Sequence, residues 1–314
     1  MVNLSDIRAA RERIAGSVMR TPLVRLNVDG PEIYLKLESL QPIGSFKLRG
    51  AGSAIALATP EQLENGVYTA SAGNMAQGVA WHARRLGIPC TVIVPEHAPQ
   101  TKLAAITRMG GTIIKVPFPE WWQVLVTGQY EGQKGLFIHP VSDPPVLAGN
   151  GTIGLEILED LPDVDEILVP YGGGGLICGI AIAIRALKPG TRIFACEVDT
   201  SAALSAALKA GAVTKIDYQR SFVDGIGSGG VLEEMWPLAH TLLDGSLVMT
   251  VDDVKEAVRT LVERNRLVAE GAGATAVAAA LRGNAERGRP RDGKIVCVVS
   301  GGNIDLTTLA GILS

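Results

Sequence analysis

The chain has 314 residues, 47% of them hydrophobic and 4% aromatic, with a formal net charge of −3. That length and apolar content allow one large domain or two modest ones with a substantial buried core. The small negative charge gives nothing to draw the whole protein to nucleic acid or to an anionic membrane.

Helical spacing of Ile7, Ala10 and Ile14 predicts a first helix over 6–15, with Ser5 as its candidate N-cap and Thr21-Pro22 beyond its end. Residues 33–37 alternate as a strand, and the alanines of 51–58 read as a helix. Strand and helix patterns then alternate: strands over 66–70, 90–94 and 112–116, with helices over 76–86 and 101–109. The second half repeats the theme, with strands over 167–170, 192–198 and 294–299 and helices over 176–187, 251–265 and 273–281. Short apolar strands between helices predict an α/β fold of parallel sheets flanked by helices. Two such series, near 53–146 and after 150, predict two α/β domains. The basic stretch 282–294 mixes arginines with glycine, proline and acids and reads as a solvated loop. The longest apolar run, Leu176 to Ile184, ends at Arg185, far short of the roughly 20 residues that span a bilayer. No secretory signal pattern opens the chain. Cys90, Cys178, Cys196 and Cys297 lie in apolar runs without a CxxC pair, which predicts buried reduced thiols in a cytosolic protein.

Four motifs carry chemistry. Residues 41–50 read Gln-Pro-Ile-Gly-Ser-Phe-Lys-Leu-Arg-Gly, placing Lys47 in a glycine-flanked turn between a strand and an alanine-rich helix. An amine held at such a junction is a candidate to form an imine with an aldehyde; standing alone, it would read as a surface charge. Residues 71–74, Ser-Ala-Gly-Asn, follow a strand and open a helix, so their N–H groups suit a carboxylate, with simple N-capping as the plainer reading. Four consecutive glycines, Gly172 to Gly175, exceed what a bare turn needs and suit a phosphate. Ser300-Gly301-Gly302-Asn303 follows the last buried strand, where a hydroxyl faces the usual α/β ligand crevice. An aldehyde-binding lysine with a phosphate cradle points to pyridoxal 5′-phosphate. Gly225, Gly227 and Gly230 match G-x-G-x-x-G but follow no clear strand, and Ile295 spoils a P-loop near-match at Gly288, Gly293 and Lys294. The four histidines have no metal-site spacing. His82 reads as packing or surface, and Trp121-Trp122 as core or interface packing.

In order along nearly the whole chain, these motifs closely resemble the fold-type II pyridoxal-phosphate enzymes of the serine/threonine dehydratase and serine racemase group. The resemblance includes His139-Pro140 with Asp143-Pro144, and Gly149-Asn150-Gly151-Thr152. It implies a two-domain, tryptophan synthase β-like fold, with 1–52 and 147–314 as the large cofactor-binding domain and 53–146 as the small one. It implies that Lys47 bonds the cofactor aldehyde, Phe46 packs on its ring, Asn74 hydrogen-bonds the ring hydroxyl, Gly172 to Gly175 with Leu176 hold the phosphate, and Ser300 faces the pyridine nitrogen. Ser71, Ala72, Gly73, Asn74 and Met75 then form the substrate carboxylate site.

The implied activity is dehydration and deamination of a β-hydroxy-α-amino acid (L-threonine, L-serine or a bulkier analogue such as phenylserine) to a 2-oxo acid and ammonia, by a cytoplasmic homodimer. The alternatives are a serine racemase with side dehydratase activity, a catalytically silent cofactor- or metabolite-binding protein, and a nucleotide-dependent oxidoreductase, which the poor dinucleotide match disfavours. Ala72 stands where racemases carry a second hydroxyl, so little racemisation is expected. Met75 replaces a common histidine, Asn150 a common glutamine, and Val141 a common aromatic residue, which favours an enlarged side-chain pocket. Glu197 matches one ligand of a cation site of some relatives, but Ala203 stands where a second carboxylate is expected, so no metal site is assigned. The chain ends soon after Asn303, without the regulatory domain of biosynthetic threonine deaminases, and isoleucine feedback is not expected.

Overall fold

A computed structural model of the protein describes residues 2–283 and 293–314. Most of the basic stretch 282–294, and Gly288 of the P-loop near-match, lie outside the described residues. Helix α1 (Leu4–Ile14) starts at Asn3, not Ser5. The Asn3 side chain accepts from the amides of Ser5 and Asp6, and Asp6 Oδ2 accepts from Asn3 N at 2.9 Å. This reciprocal pair satisfies donors that Ser5, two residues too late, would leave open. Then follow β1 (Leu23–Arg25), β2 (Ile33–Lys36), α2 (Lys47–Leu57), α3 (Pro60–Leu63), β3 (Val67–Ala70), α4 (Asn74–Leu86), β4 (Cys90–Pro95), α5 (Gln100–Arg108), β5 (Thr112–Val116), α6 (Phe118–Thr127), β6 (Leu136–Phe137) and α7 (Pro144–Asp160). The chain continues through β7 (Glu166–Pro170), α8 (Gly175–Leu187), β8 (Arg192–Val198), α9 (Ala203–Ala210), α10 (Trp236–Leu242), β9 (Gly245–Met249), α11 (Val251–Thr260), α12 (Gly271–Leu281), β10 (Ile295–Val298) and α13 (Leu306–Leu313). The expected long helix over 251–265 changes character at Leu261, where a π-helical turn runs to Asn265 and Arg266 follows in the left-handed region at φ 59°.

Two compact units result. Met1–Met19 with Gln41–Asn150 form one, and Arg20–Leu40 with Gly151–Ser314 form the other. The first holds a four-stranded sheet of order β5-β4-β3-β6, parallel throughout. Its central strands β3 and β4 are buried along almost their whole length, as parallel strands covered on both faces must be. Ala51, Ile55, Met75, Val79, Ala83, Val92 and Ile106 form its main core. Helix α2 is seated against α4, where His82 Nε2 lies 2.9 Å from the Leu48 carbonyl. Burial pushes the His82 pKa down to about 4, so the ring is neutral and its role is packing. Trp121 joins a smaller cluster with Tyr68 and Val124, while Trp122 is 46% exposed.

Helix α2 is also held from its other side by Gly149. A β-carbon there would run into the Arg49 carbonyl and lie 2.8 Å from the Ser53 Cβ. Gly149→Ala is therefore expected to cost about 1–3 kcal/mol by overpacking, read as a lowered urea midpoint.

The second unit holds a six-stranded sheet of order β1-β2-β10-β7-β8-β9, parallel except for the edge strand β1. Helix α12, Gly-Ala-Gly-Ala-Thr-Ala-Val-Ala-Ala-Ala-Leu, is buried along ten of its eleven residues. Its small side chains let it approach strands β7 to β10 closely, and it has no polar face because only Leu281 at its end is exposed. Beneath β2, Lys36 is fully buried: its Nζ donates to Glu156 Oε2 at 2.6 Å and to the Thr21 carbonyl at 2.5 Å. Thr21 Oγ1 in turn donates to Glu38 Oε1 at 2.6 Å. All four cysteines are buried, and burial pushes the Cys90 and Cys178 thiols up to about 12. Among the described residues, no helix is long and apolar enough to cross a membrane.

Candidate active site

Ligands of parallel α/β sheets sit beyond the carboxyl ends of the strands, where the strand order reverses. In the first unit that reversal lies between β3 and its neighbour β6; in the second, between β10 and β7. Each of these four strands runs straight into a motif singled out in the sequence. Strand β3 leads to Ser71, β6 to His139, β7 to the tetraglycine and β10 to Ser300.

In the first unit, Lys47 is the opening residue of α2 rather than part of a preceding turn. The turn before it uses Gly44 at φ 71°, and Ser45 Oγ accepts from Lys47 N at 3.4 Å. The amine lies 5.2 Å from the Phe46 ring centre and donates to the Pro140 carbonyl at 2.5 Å. Part of the residue remains accessible, yet burial around the nitrogen penalises its charge and lowers its pKa to about 8. This contact places Lys47 at the β3–β6 switch point. The loop Ser71 to Asn74 is half-buried, and Gly73 N donates to Ser71 Oγ at 3.2 Å. Gly73 faces open space, and the α4 N-terminus there has no side-chain cap. The plainer reading of this loop as an N-cap is therefore not what the geometry gives. The Met75 side chain is 1% exposed and packs in the core, not on the loop's surface.

In the second unit, the β10–β7 register pairs Cys297 with Leu168; extended three residues, it brings Ser300 level with Tyr171, immediately before the glycines. Ser300 is buried. Gly174 caps α8 at φ 91°, a conformation that disfavours any side chain. A β-carbon on Gly172 would lie 3.1 Å from Ile226 Cα. The α8 N-terminus therefore offers backbone N–H groups on a turn that can approach a ligand closely. Glu197 Oε1 accepts from Leu204 N at 2.7 Å, and its Oε2 accepts from Ser205 N at 2.8 Å and Ser246 Oγ at 2.6 Å. Burial raises its pKa, and these hydrogen bonds pull the other way. Among the described residues, no group of three or more His, Cys, Asp or Glu is arranged to hold a metal ion.

Three features of these surroundings escaped the sequence reading. One is the Pro140 carbonyl, a backbone atom with no sequence signature of its own. The second is Tyr171, 1% exposed, whose buried hydroxyl beside Gly174 has no hydrogen-bond partner among the described residues. Its place directly before the glycines was the available signal. The third is the Asp224–Ile226 turn with Glu270. A β-carbon on Gly225 would lie 2.9 Å from Ala272 Cβ, with Glu270 Oε1 next at 3.4 Å, and Glu270 N donates to the Gly301 carbonyl at 3.0 Å. The G-x-G-x-x-G match at Gly225 therefore belongs to a loop beside the tetraglycine and opens no helix.

Two parallel α/β units with these motifs at their switch points define an enzyme of the fold-type II class. The chain belongs to the family described as "Pyridoxal-phosphate dependent enzyme", whose model matches residues 14–301. It is 42% identical to an L-threonine ammonia-lyase of Geobacter sulfurreducens, covering 100% of this chain and 78% of that one. Its fold is similar to that of maize serine racemase, at TM-score 0.91 and 33% identity, over 99% of this chain and 96% of the other. The processed form of threonine deaminase isoform 2 from Solanum lycopersicum is similar at TM-score 0.89 and 32% identity, over 98% of this chain and 91% of that one.

The residues present fit a pyridoxal phosphate. The lysine amine has a lowered pKa. A turn that excludes side chains precedes a 13-residue helix. The orphaned Tyr171 hydroxyl beside that turn marks a polar environment still short of an acceptor.

Proposed function

We propose that the protein is a pyridoxal-phosphate-dependent ammonia-lyase acting on a β-hydroxy-α-amino acid: L-threonine, L-serine or a bulkier analogue such as phenylserine. Water leaves across Cα–Cβ and is returned on hydrolysis, so the net products are a 2-oxo acid and ammonia. The observation that carries this reading is the buried Lys47 amine, with a pKa of about 8, at a parallel-sheet switch point. The likeness to an L-threonine ammonia-lyase along all of this chain supports the substrate class.

When bound, pyridoxal phosphate supplies an aldehyde carbon for amines and a conjugated ring that disperses charge from Cα. In this proposal Lys47 would hold that carbon, and its Nζ would take the Cα proton of the substrate. Its lowered pKa suits a base working near neutral pH. Phe46 flanks the ring, and the Asn74 side chain donates to the ring hydroxyl. The N–H groups of Gly172, Gly173, Gly174, Gly175 and Leu176 hold the phosphate. The Ser300 hydroxyl would face the pyridine nitrogen and, not being an acid, would give it no proton. Ser71, Ala72, Gly73, Asn74 and Met75 receive the substrate carboxylate, Met75 through its backbone because its side chain is in the core. Residues 1–52 with 147–314 act as the cofactor-binding domain and 53–146 as the small domain. The protein works in the cytoplasm as a homodimer.

The likeness to maize serine racemase favours racemisation as the second reading. Ala72 opposes it, since a methyl group moves no proton. The test is 2-oxo acid release from L-serine, L-threonine and L-threo-phenylserine, with D-serine formation followed in parallel. Release without D-product is the expected result; comparable D-serine formation would replace the lyase reading with the racemase one.

A further inference from the structure

The carbonyl that meets Lys47 belongs to a turn fastened at every side. Asp143 Oδ2 accepts from His139 N at 2.8 Å. His139 Nδ1 accepts from Ser142 N at 2.9 Å and Val141 N at 3.2 Å, and lies 3.0 Å from Ser142 Oγ. A ring nitrogen that accepts from two amides carries no proton, so the imidazole proton sits on Nε2. At the entry, Ile138 N donates to the Tyr68 carbonyl at 2.8 Å and the Ile138 carbonyl accepts from Thr69 Oγ1 at 2.8 Å. At the exit, Leu147 N donates to the Asp143 carbonyl at 3.0 Å, tying the turn to α7. Pro140 is buried between these anchors and offers only its carbonyl oxygen.

We propose that the turn from His139 to Asp143 is a built seat for the Lys47 amine, with His139 and Asp143 as positioning residues that hold the Pro140 carbonyl on Nζ. The inference rests on the reading of Lys47 as the cofactor lysine. A carbonyl oxygen on an amine favours its protonated form and fixes its direction. The seat therefore works against burial: it keeps the amine from losing its charge too readily, and it orients the nitrogen between bond exchanges. The titratable and charged groups on the surrounding elements include His139 and Asp143 in the turn, His82 on α4, Tyr68 on β3 and Arg49 on α2; Tyr68 and Arg49 donate to the Gly128 and Met19 carbonyls. His82 is neutral and occupied with Leu48. Burial raises the Asp143 carboxyl, and the hydrogen bond from His139 N partly offsets this.

The test compares His139→Ala with His139→Asn in the cofactor-loaded protein. An asparagine oxygen accepts from amides two and three residues on, so it rebuilds the turn that alanine opens. Two midpoints are measured from pH 6 to 10, both with Lys47 displaced from the cofactor: that of deuterium exchange at Cα of L-alanine, which has no β-hydroxyl to lose, and that of kcat. Alanine is expected to move both down by about one pH unit and to lower the kcat plateau about tenfold with little change in KM. Asparagine is expected to restore all three. Unmoved midpoints in the alanine variant, or an asparagine variant no better than alanine, would overturn the seat. If His139→Ala does not fold, Asp143→Ala opens the turn from its other end and is read the same way. Lys47→Ala separates the two layers: retained visible absorbance of lysine-bound cofactor and retained turnover there would sink the lysine reading itself. Loss in Lys47→Ala with unmoved midpoints in the turn variants would sink the seat alone.

Discussion

Lys47→Ala is expected to lose the visible absorbance of lysine-bound cofactor and to reduce 2-oxo acid release by about a thousandfold or more. Both losses come from one nitrogen, because Lys47 is proposed to carry the cofactor and to take the substrate proton. Lys47→Arg is expected to do no better, since a guanidinium keeps its proton throughout the working range. In the unaltered protein the pH dependence has a definite sign. Burial lowers the amine to about 8, and a base must be neutral to act. Activity should therefore rise with pH through that region and level off above it. A profile flat from pH 6 to 10, with Lys47 still essential, would mean that a step other than proton removal limits the rate.

The largest expected effect on stability lies at the buried ion pair. Lys36 is fully buried and Glu156 is 7% exposed, 2.6 Å apart. Removing one partner leaves the other charge buried without its counter-ion. Lys36→Met alone, or Glu156→Leu alone, is expected to cost roughly 3–5 kcal/mol. The double replacement should recover most of that loss, because two apolar groups need no compensation. Urea unfolding of the four proteins measures the coupling directly. Additive losses in the double variant would show that the two groups do not depend on each other.

The fold was legible where the chain announces itself by runs and punctuation. Thr112 to Val116 and Arg192 to Val198 are strands at the bounds their patterns predict. Apolar β-branched runs between glycines and prolines leave little else for the backbone to do. Helix α7 went unread because Gly149, Gly151 and Gly154 interrupt its pattern; Gly149 and Gly154 are there for close packing, not for turns. Strand β6 is two residues long and too short for any periodicity, yet it completes the switch point beside β3. Motif positions could be read because glycines and small polar residues after a strand are unusual in composition. Contacts made by backbone atoms could not, and the Pro140 carbonyl is one. Asn3 took the cap from Ser5 because a longer side chain placed earlier in the chain reaches two amides, a choice of geometry that residue preference does not rank.

The burial of all four cysteines has a practical side. With no thiol at the surface, the unaltered chain should ignore maleimide dyes under native conditions. Val126 and Leu306 are 63% and 79% exposed, and they belong to different compact units. A cysteine at each would carry the only two dyes on the molecule, without first stripping native thiols. Energy transfer between them would then report the separation of the two units in real time while substrate is consumed.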